Sequence, residues 1–295
     1  AICDSLSSDA QLQRRKNFRY VVVFAFAGVV SQQCYGFFLL WQLLLLNAGL
    51  IFVAFLFYRF GNKQRFESKY LDYRALAEGL RIQFFWQTAG MNDTVTDHFI
   101  FEQRDELDWI QNALQSFSLG LVNESSHQSS EWILEHWIRD QRTYFVGDQE
   151  TGRKGSARAH AISESRLTVW MQRLFYIGIG LMATTALSYE VIYSGLQFEW
   201  KSFLLNSLLA FSGALLCLVP TLKLYLDTMA YDEHSKRYLR IGQTYIQAEK
   251  LLSTLDTNDV ETMKRVYLHL GVKSIKESCD WIMIHRQRPV KVPVM

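Results

Sequence analysis

Proline and cysteine are scarce, with three Pro and four Cys in 295 residues. So few prolines, with little regular alternation of apolar and polar residues, predict long helices rather than sheets. The cysteines (Cys3, Cys34, Cys217 and Cys279) are scattered, lack C-x-x-C spacing, and fall twice inside apolar stretches. That pattern supports neither a disulfide framework nor a zinc site and reads as free buried thiols. An excess of one charge sign is also missing. The 31 Lys and Arg face 29 Asp and Glu, which argues against a nucleic-acid reader driven by bulk positive charge. Charge is absent altogether from residues 20–58, 174–189 and 202–222. The first of these runs excludes a single soluble domain and has room for two membrane passes of about 20 residues each.

The expected architecture is an all-α integral membrane protein with four transmembrane helices in two hairpins and a cytosolic helical layer. Residues 1–16 read as a polar connector, 17–60 as the first hairpin, 61–165 as a cytosolic helical region, 166–226 as the second hairpin, and 227–295 as a cytosolic stalk and C-terminal helix. In the first hairpin, helices over about 18–35 and 38–59 are joined by a turn at Gly36. In the second, the uncharged run 174–189 is short for a bilayer, so the pass extends to Trp170 with Arg173 snorkelling or continues beyond Glu190. The last pass is Ser202–Leu222. The hairpin turns hold one basic residue, Lys201, whereas Arg14, Arg15, Lys16, Arg19, Arg59, Lys63, Arg173 and Lys223 crowd the opposite ends. Basic flanks stay in the cytoplasm, so both termini and the middle region are placed there.

Outside the apolar blocks, Tyr73, Leu76, Ala77, Leu80 and Phe84 fall on one helical face, as do Leu107, Ile110 and Leu114 within 97–117. Asn123–Ser130 reads as a polar linker ending in an N-cap before Trp132, and Gly147–Ser156 as a charged loop. Tyr231, Tyr238, Tyr245 and Leu252 recur every seven residues, with His234, Ile241 and Ala248 three further on. This is a short heptad seam on a helix leaving the membrane, suited either to packing within one chain or to an intermolecular coiled coil. His234 there is expected to be partly solvated.

Signals for catalysis are lacking. Gly147-x4-Gly152-Arg153-Lys154 misses the Gly-Lys-Ser/Thr ending and the preceding strand of a phosphate-binding loop. The seven histidines show no metal spacing, and there is no Gly-x-Ser-x-Gly. An enzyme is therefore not expected, nor a cofactor. A membrane enzyme or transporter is the weakest reading because Glu190 and Glu199 sit at a hairpin end. The distinctive residues are polar or small ones inside the apolar blocks, where polar groups commonly face protein or water. Gln32, Gln42, Asn47, Asn206 and Gly213 are the candidates, either for packing between helices or for lining a pore. Tyr73, Leu80, Tyr231, His234, Tyr238 and Tyr245 are candidates for a cytosolic coupling seam.

Two cytosolic segments carry a resemblance: Tyr70-Leu71-Asp72-Tyr73-Arg74-Ala75-Leu76-Ala77-Glu78-Gly79-Leu80-Arg81-Ile82-Gln83-Phe84-Phe85-Trp86, and Glu277-Ser278-Cys279-Asp280-Trp281-Ile282-Met283-Ile284-His285-Arg286-Gln287-Arg288-Pro289. Both resemble bacterial membrane modules of the SLATT-like group, whose typical module has two passes and which are associated with SMODS nucleotidyltransferases and SLOG sensor domains in antiphage conflict systems. The resemblance implies a homo-oligomeric effector in the bacterial inner membrane. Such an effector would open or perturb the bilayer on a nucleotide-type signal sensed by an N-terminal or separate domain, without direct contact with nucleic acid. The chain starts at Ala1 without an initiator Met, so a sensor domain is expected to precede the connector. The competing expectation is a membrane anchor or scaffold that recruits a cytosolic enzyme or complex.

Overall fold

A computed structural model of the chain describes residues 2–98, 104–121, 128–148, 153–187, 201–256 and 259–287. The described residues are all-α apart from one two-residue ladder, and they divide into two compact units. The helices are α1 (Ile2–Phe38), α2 (Trp41–Gln64), α3 (Phe66–Thr88), α4 (Arg104–Leu121), α5 (Ser130–Ile133), α6 (Asp140–Val146), α7 (Ser156–Leu187), α8 (Lys201–Met229), α9 (Tyr231–Thr254) and α10 (Val260–Gln287). A 3-10 turn spans Val95–His98, and a π-helical segment, Leu134–Arg139, joins α5 to α6.

One unit comprises Leu12–Arg65 and Ile162–Tyr231. Three helical stretches are long and apolar enough to cross a bilayer, within Ile2–Phe38, Trp41–Thr88 and Ser202–Thr254. Between 6% and 17% of each apolar window is buried, so the apolar side chains face outward instead of filling a core. Trp41, Leu45, Phe52, Phe203 and Phe211 are among the most exposed. Exposed apolar side chains along helices of spanning length are what lipid covers. Inside the unit, helices approach closely where a side chain is missing: a Cβ on Gly28 would lie 2.8 Å from Ile51 Cδ1, and one on Gly178 3.0 Å from Leu216. Phe24 stacks on Phe57 at 5.6 Å, closing α1 against α2.

The turn between α1 and α2 is not at Gly36, which stays helical. It falls at Leu39, with φ 53°, and Leu40, whose backbone is extended. The Leu39 N–H still bonds the Tyr35 carbonyl at 2.8 Å, which carries the helix past the glycine before it stops. The stalk is likewise not one continuous helix from the membrane. Ala230 takes φ 49° between α8 and α9, with its N–H on the Leu226 carbonyl at 2.9 Å, an αL termination that ends one helix and starts another. Glu190 and Glu199 lie outside the described residues, as does Asn123 with most of its linker.

The other unit comprises Ala1–Gln11, Phe66–Ala161 and Asp232–Met295. Its core holds Leu71, Ile82 and Trp86 of α3, Ile110 and Leu114 of α4, Ile133, Trp137 and Ile138, Tyr245 of α9, and Leu270 and Ile282 of α10. The face of α3 differs from the one read off the sequence. Leu76 and Ala77 are buried as expected, but Phe84 is 43% exposed, Tyr73 and Leu80 are half-buried, and the buried residues also include Tyr70, Leu71, Ala75, Ile82, Phe85 and Trp86. The helix packs against α4 as well as α10, so its buried surface is two-sided and a single stripe does not describe it. Ser129 caps α5 by accepting the Trp132 N–H at 3.2 Å. Of the helix expected over 97–117, Asp97 and His98 belong to the 3-10 turn, and the described remainder is helical from Arg104 onward. Gly147 pairs with Lys154 and Asp148 with Arg153 in a two-residue antiparallel ladder, where a plain loop was expected.

Candidate functional site

The polar residues of the membrane unit are arranged around α1. Gln32 and Gln33 are adjacent, hence about 100° apart around a helix, and they address different neighbours. Gln32 Oε1 accepts from Asn47 Nδ2 of α2 at 2.8 Å. Gln33 Nε2 points to Cys217 Sγ of α8 at 4.0 Å, and Gly213 of the same helix faces the Gln33 amide, where a Cβ would lie 3.4 Å from Oε1, at ordinary contact distance. One turn on, Asn206 Nδ2 donates to the Phe37 carbonyl at 3.0 Å, where α1 is ending and its last carbonyls lack helical partners. Ser31 Oγ donates to the Leu43 carbonyl at 2.8 Å.

The structure therefore gathers Gln32 with Asn47, and Asn206 and Gly213 with α1. Gln42 stands apart, exposed at the second position of α2 beside the turn. Ser31 and Gln33 were missed as partners. Their signal was the polar break Ser31-Gln32-Gln33-Cys34 in an otherwise apolar run.

In the other unit, α9 turns its repeat inward. Tyr238, Ile241, Tyr245, Ala248 and Leu252 all lie in the core, and the seam packs within one chain. The Tyr231 side chain lies outside the described residues. Tyr245 is fully buried with its hydroxyl 3.1 Å from Ser274 Oγ, and burial pushes its phenol far above the usual range. His234 is buried rather than partly solvated. The Trp281 indole N–H donates to His234 Nδ1 at 3.1 Å, which makes that nitrogen an acceptor. Arg74 of α3 lies beside this group, its guanidinium 5.7 Å from the Tyr238 ring centre and 5.2 Å from that of Trp281.

Ion pairs tie the helices of this unit. Glu249 of α9 accepts from Arg139 at 3.0 Å and Arg142 at 2.9 Å. Arg237 pairs with Glu277 of α10 at 2.9 Å and also donates to its carbonyl; burial lowers its pKa despite that carboxylate. Arg81 bridges Glu78 at 2.5 Å and Asp4 at 3.3 Å. Burial pushes the Cys279 thiol up to about 12. Among the described residues no group of His, Cys, Asp and Glu is placed to hold a metal ion. Of the phosphate-loop-like string, Gly147 and Lys154 are opposed in the ladder and Gly152 lies outside the described residues. These arrangements position and bury charge. No family model matches the chain, and no curated protein and no solved structure matches it.

Proposed function

We propose that the protein is a homo-oligomeric effector of the bacterial inner membrane. Two helical hairpins, α1–α2 and α7–α8, cross the bilayer, and both termini stay in the cytoplasm. The observation that carries this is the contrast between the two units: one exposes apolar side chains along three helices of spanning length, and the other buries a dense aromatic core. A helical layer in water joined to apolar helices in lipid is the composition of a membrane switch. The chain passes between the units four times, after Gln11, Arg65, Ala161 and Tyr231. The basic flanks of the apolar runs set the orientation. The resemblance to SLATT-like modules supplies the biological setting, a defence or signalling system in which a nucleotide-type signal is sensed elsewhere. A signal moves the switch only through unequal affinity for its two states.

A second reading, an anchor that recruits a cytosolic enzyme or complex, is favoured by one observation. Asn47, Gln32 and Asn206 each make a hydrogen bond to another helix of the same chain, which is what packing between helices needs and requires no water path. The two readings part in reconstituted liposomes. Full-length protein with its triggering system releases trapped ions if it is an effector; ion-tight liposomes under the same conditions leave the anchor.

A further inference from the structure

The unit with the aromatic core contains a cavity of 320 Å³ between α1, α3 and α6, large enough for a small metabolite. Its charges are sorted by depth. Arg74, Glu78 and Arg81 come from successive turns of α3; the Glu78 and Arg81 side chains are 15% and 27% exposed, and they neutralise each other at 2.5 Å. Arg74 remains. Among the described residues no carboxylate is within ion-pair distance of its guanidinium, which is held over two aromatic rings, so its N–H groups have the capacity to bind an anionic group. Towards solvent the sign reverses. Asp4, whose side chain is 52% exposed and which Arg81 already contacts, and Asp140, exposed at the start of α6, are the acids lining the cavity near its mouth. Gln141, 5% exposed, also lines it, and its Oε1 is buried without a hydrogen-bond partner among the described residues. A buried polar atom left in that state marks a place where a donor is wanted.

We infer that this cavity binds a small zwitterion of the amino-acid class, its carboxylate on Arg74 and its ammonium towards Asp140 and Asp4. A single carboxylate forms a charge-assisted, two-pronged pair with the guanidinium. A polyphosphate would bring several negative charges past Asp4 and Asp140, and like charges at that range repel. A simple cation would meet Arg74. Only a molecule with one anionic and one cationic end matches both depths. The bound molecule touches α1, α3 and α6 together, so it ties the first turns of α1 to the rest of the unit. This site goes beyond the effector reading and does not depend on it.

The test uses the full-length chain in detergent micelles, where binding is read without any ion flux. Thermal unfolding is followed with glycine, L-alanine and L-glutamine at millimolar concentration. Acetate, methylammonium and inorganic phosphate serve as one-ended controls at matched ionic strength. The expected result is a rise in the unfolding midpoint with at least one amino acid and none with the controls, since a ligand stabilises by mass action only the state that binds it. Arg74→Gln is expected to weaken affinity by roughly tenfold to a hundredfold, the scale of a hydrogen bond to a charged group. Asp140→Asn, at an exposed position that leaves the core untouched, is expected to weaken it by roughly twofold to fivefold. No response of the wild type to any amino acid overturns the proposal. So does an equal response to acetate or phosphate, or unchanged affinity in Asp140→Asn together with a folded Arg74→Gln.

Discussion

Gly271 of α10 is the position where local preference and packing give opposite answers. A Cβ there would lie 2.5 Å from Trp86 Cζ2 and 2.6 Å from Cε2 and Nε1, closer than side chains tolerate. The ring has nowhere to go, because Trp86 is fully buried and its indole N–H donates to the Tyr267 carbonyl at 3.0 Å. Helix propensity alone says that Gly271→Ala stabilises by about 1 kcal/mol. Overpacking against a fixed ring costs about 1–3 kcal/mol, and three ring atoms inside contact distance put this site at the upper end. The balance is a loss of about 2 kcal/mol, which lowers an unfolding midpoint by roughly 4–8 °C in a unit of this size. Thermal unfolding of the detergent-solubilised protein, followed by circular dichroism and tryptophan fluorescence, measures it. The two positions are coupled: in a Trp86→Leu background, where the ring is gone, Gly271→Ala becomes neutral or stabilising. A midpoint unchanged or raised by Gly271→Ala alone would refute the packing of α3 against α10.

Other expectations rest on single contacts. Cys279, its thiol pushed up to about 12 by burial, stays unlabelled by maleimide at neutral pH until the protein is denatured. The sign of its pH dependence follows: its folded value lies above its ordinary 9.0, so its contribution is complete below pH 9 and fades as the pH climbs towards 12, visible as a midpoint shift between Cys279 and Cys279→Ala proteins. His234→Phe leaves the Trp281 indole N–H buried without its acceptor and costs about 1–3 kcal/mol in thermal unfolding, whereas His234→Asn, which supplies an acceptor, recovers part of it. Glu249→Gln removes the carboxylate shared by Arg139 and Arg142, whose side chains are 45% and 32% exposed, and lowers stability by about 1 kcal/mol, an effect that shrinks as salt is added.

The helical class and the apolar runs were legible because both are properties of composition over long windows. The α9 seam was legible for the same reason: Tyr238, Tyr245 and Leu252 mark one inward face, and the structure packs that face within its own unit. Local decisions were harder. Gly36 looked like the hairpin turn, but nothing crowds it, and the helix runs on to a leucine in the left-handed region. Ala230 breaks the stalk although alanine favours helix, and no Gly or Pro marks the place. The α3 stripe was misread because a helix buried on two sides carries apolar residues around much of its circumference. Within the candidate site, Gln32, Asn47 and Asn206 stood out as polar residues in apolar runs. Their pairing depends on which helices are neighbours, which no spacing along the chain encodes. The cavity at Arg74 was not legible at all, since it unites residues from three distant segments.

Membrane potential and dye entry in cells expressing the full-length protein with its triggering system test the central claim most directly. Wild type is compared with Asn47→Leu and Asn206→Leu at matched membrane levels. The account predicts rapid depolarisation by wild type. It also predicts an altered response in the two variants, which lose the Gln32 and Phe37 hydrogen bonds that hold α2 and α8 to α1. Cells that keep their potential with the trigger present would contradict the effector reading and leave the anchor in its place.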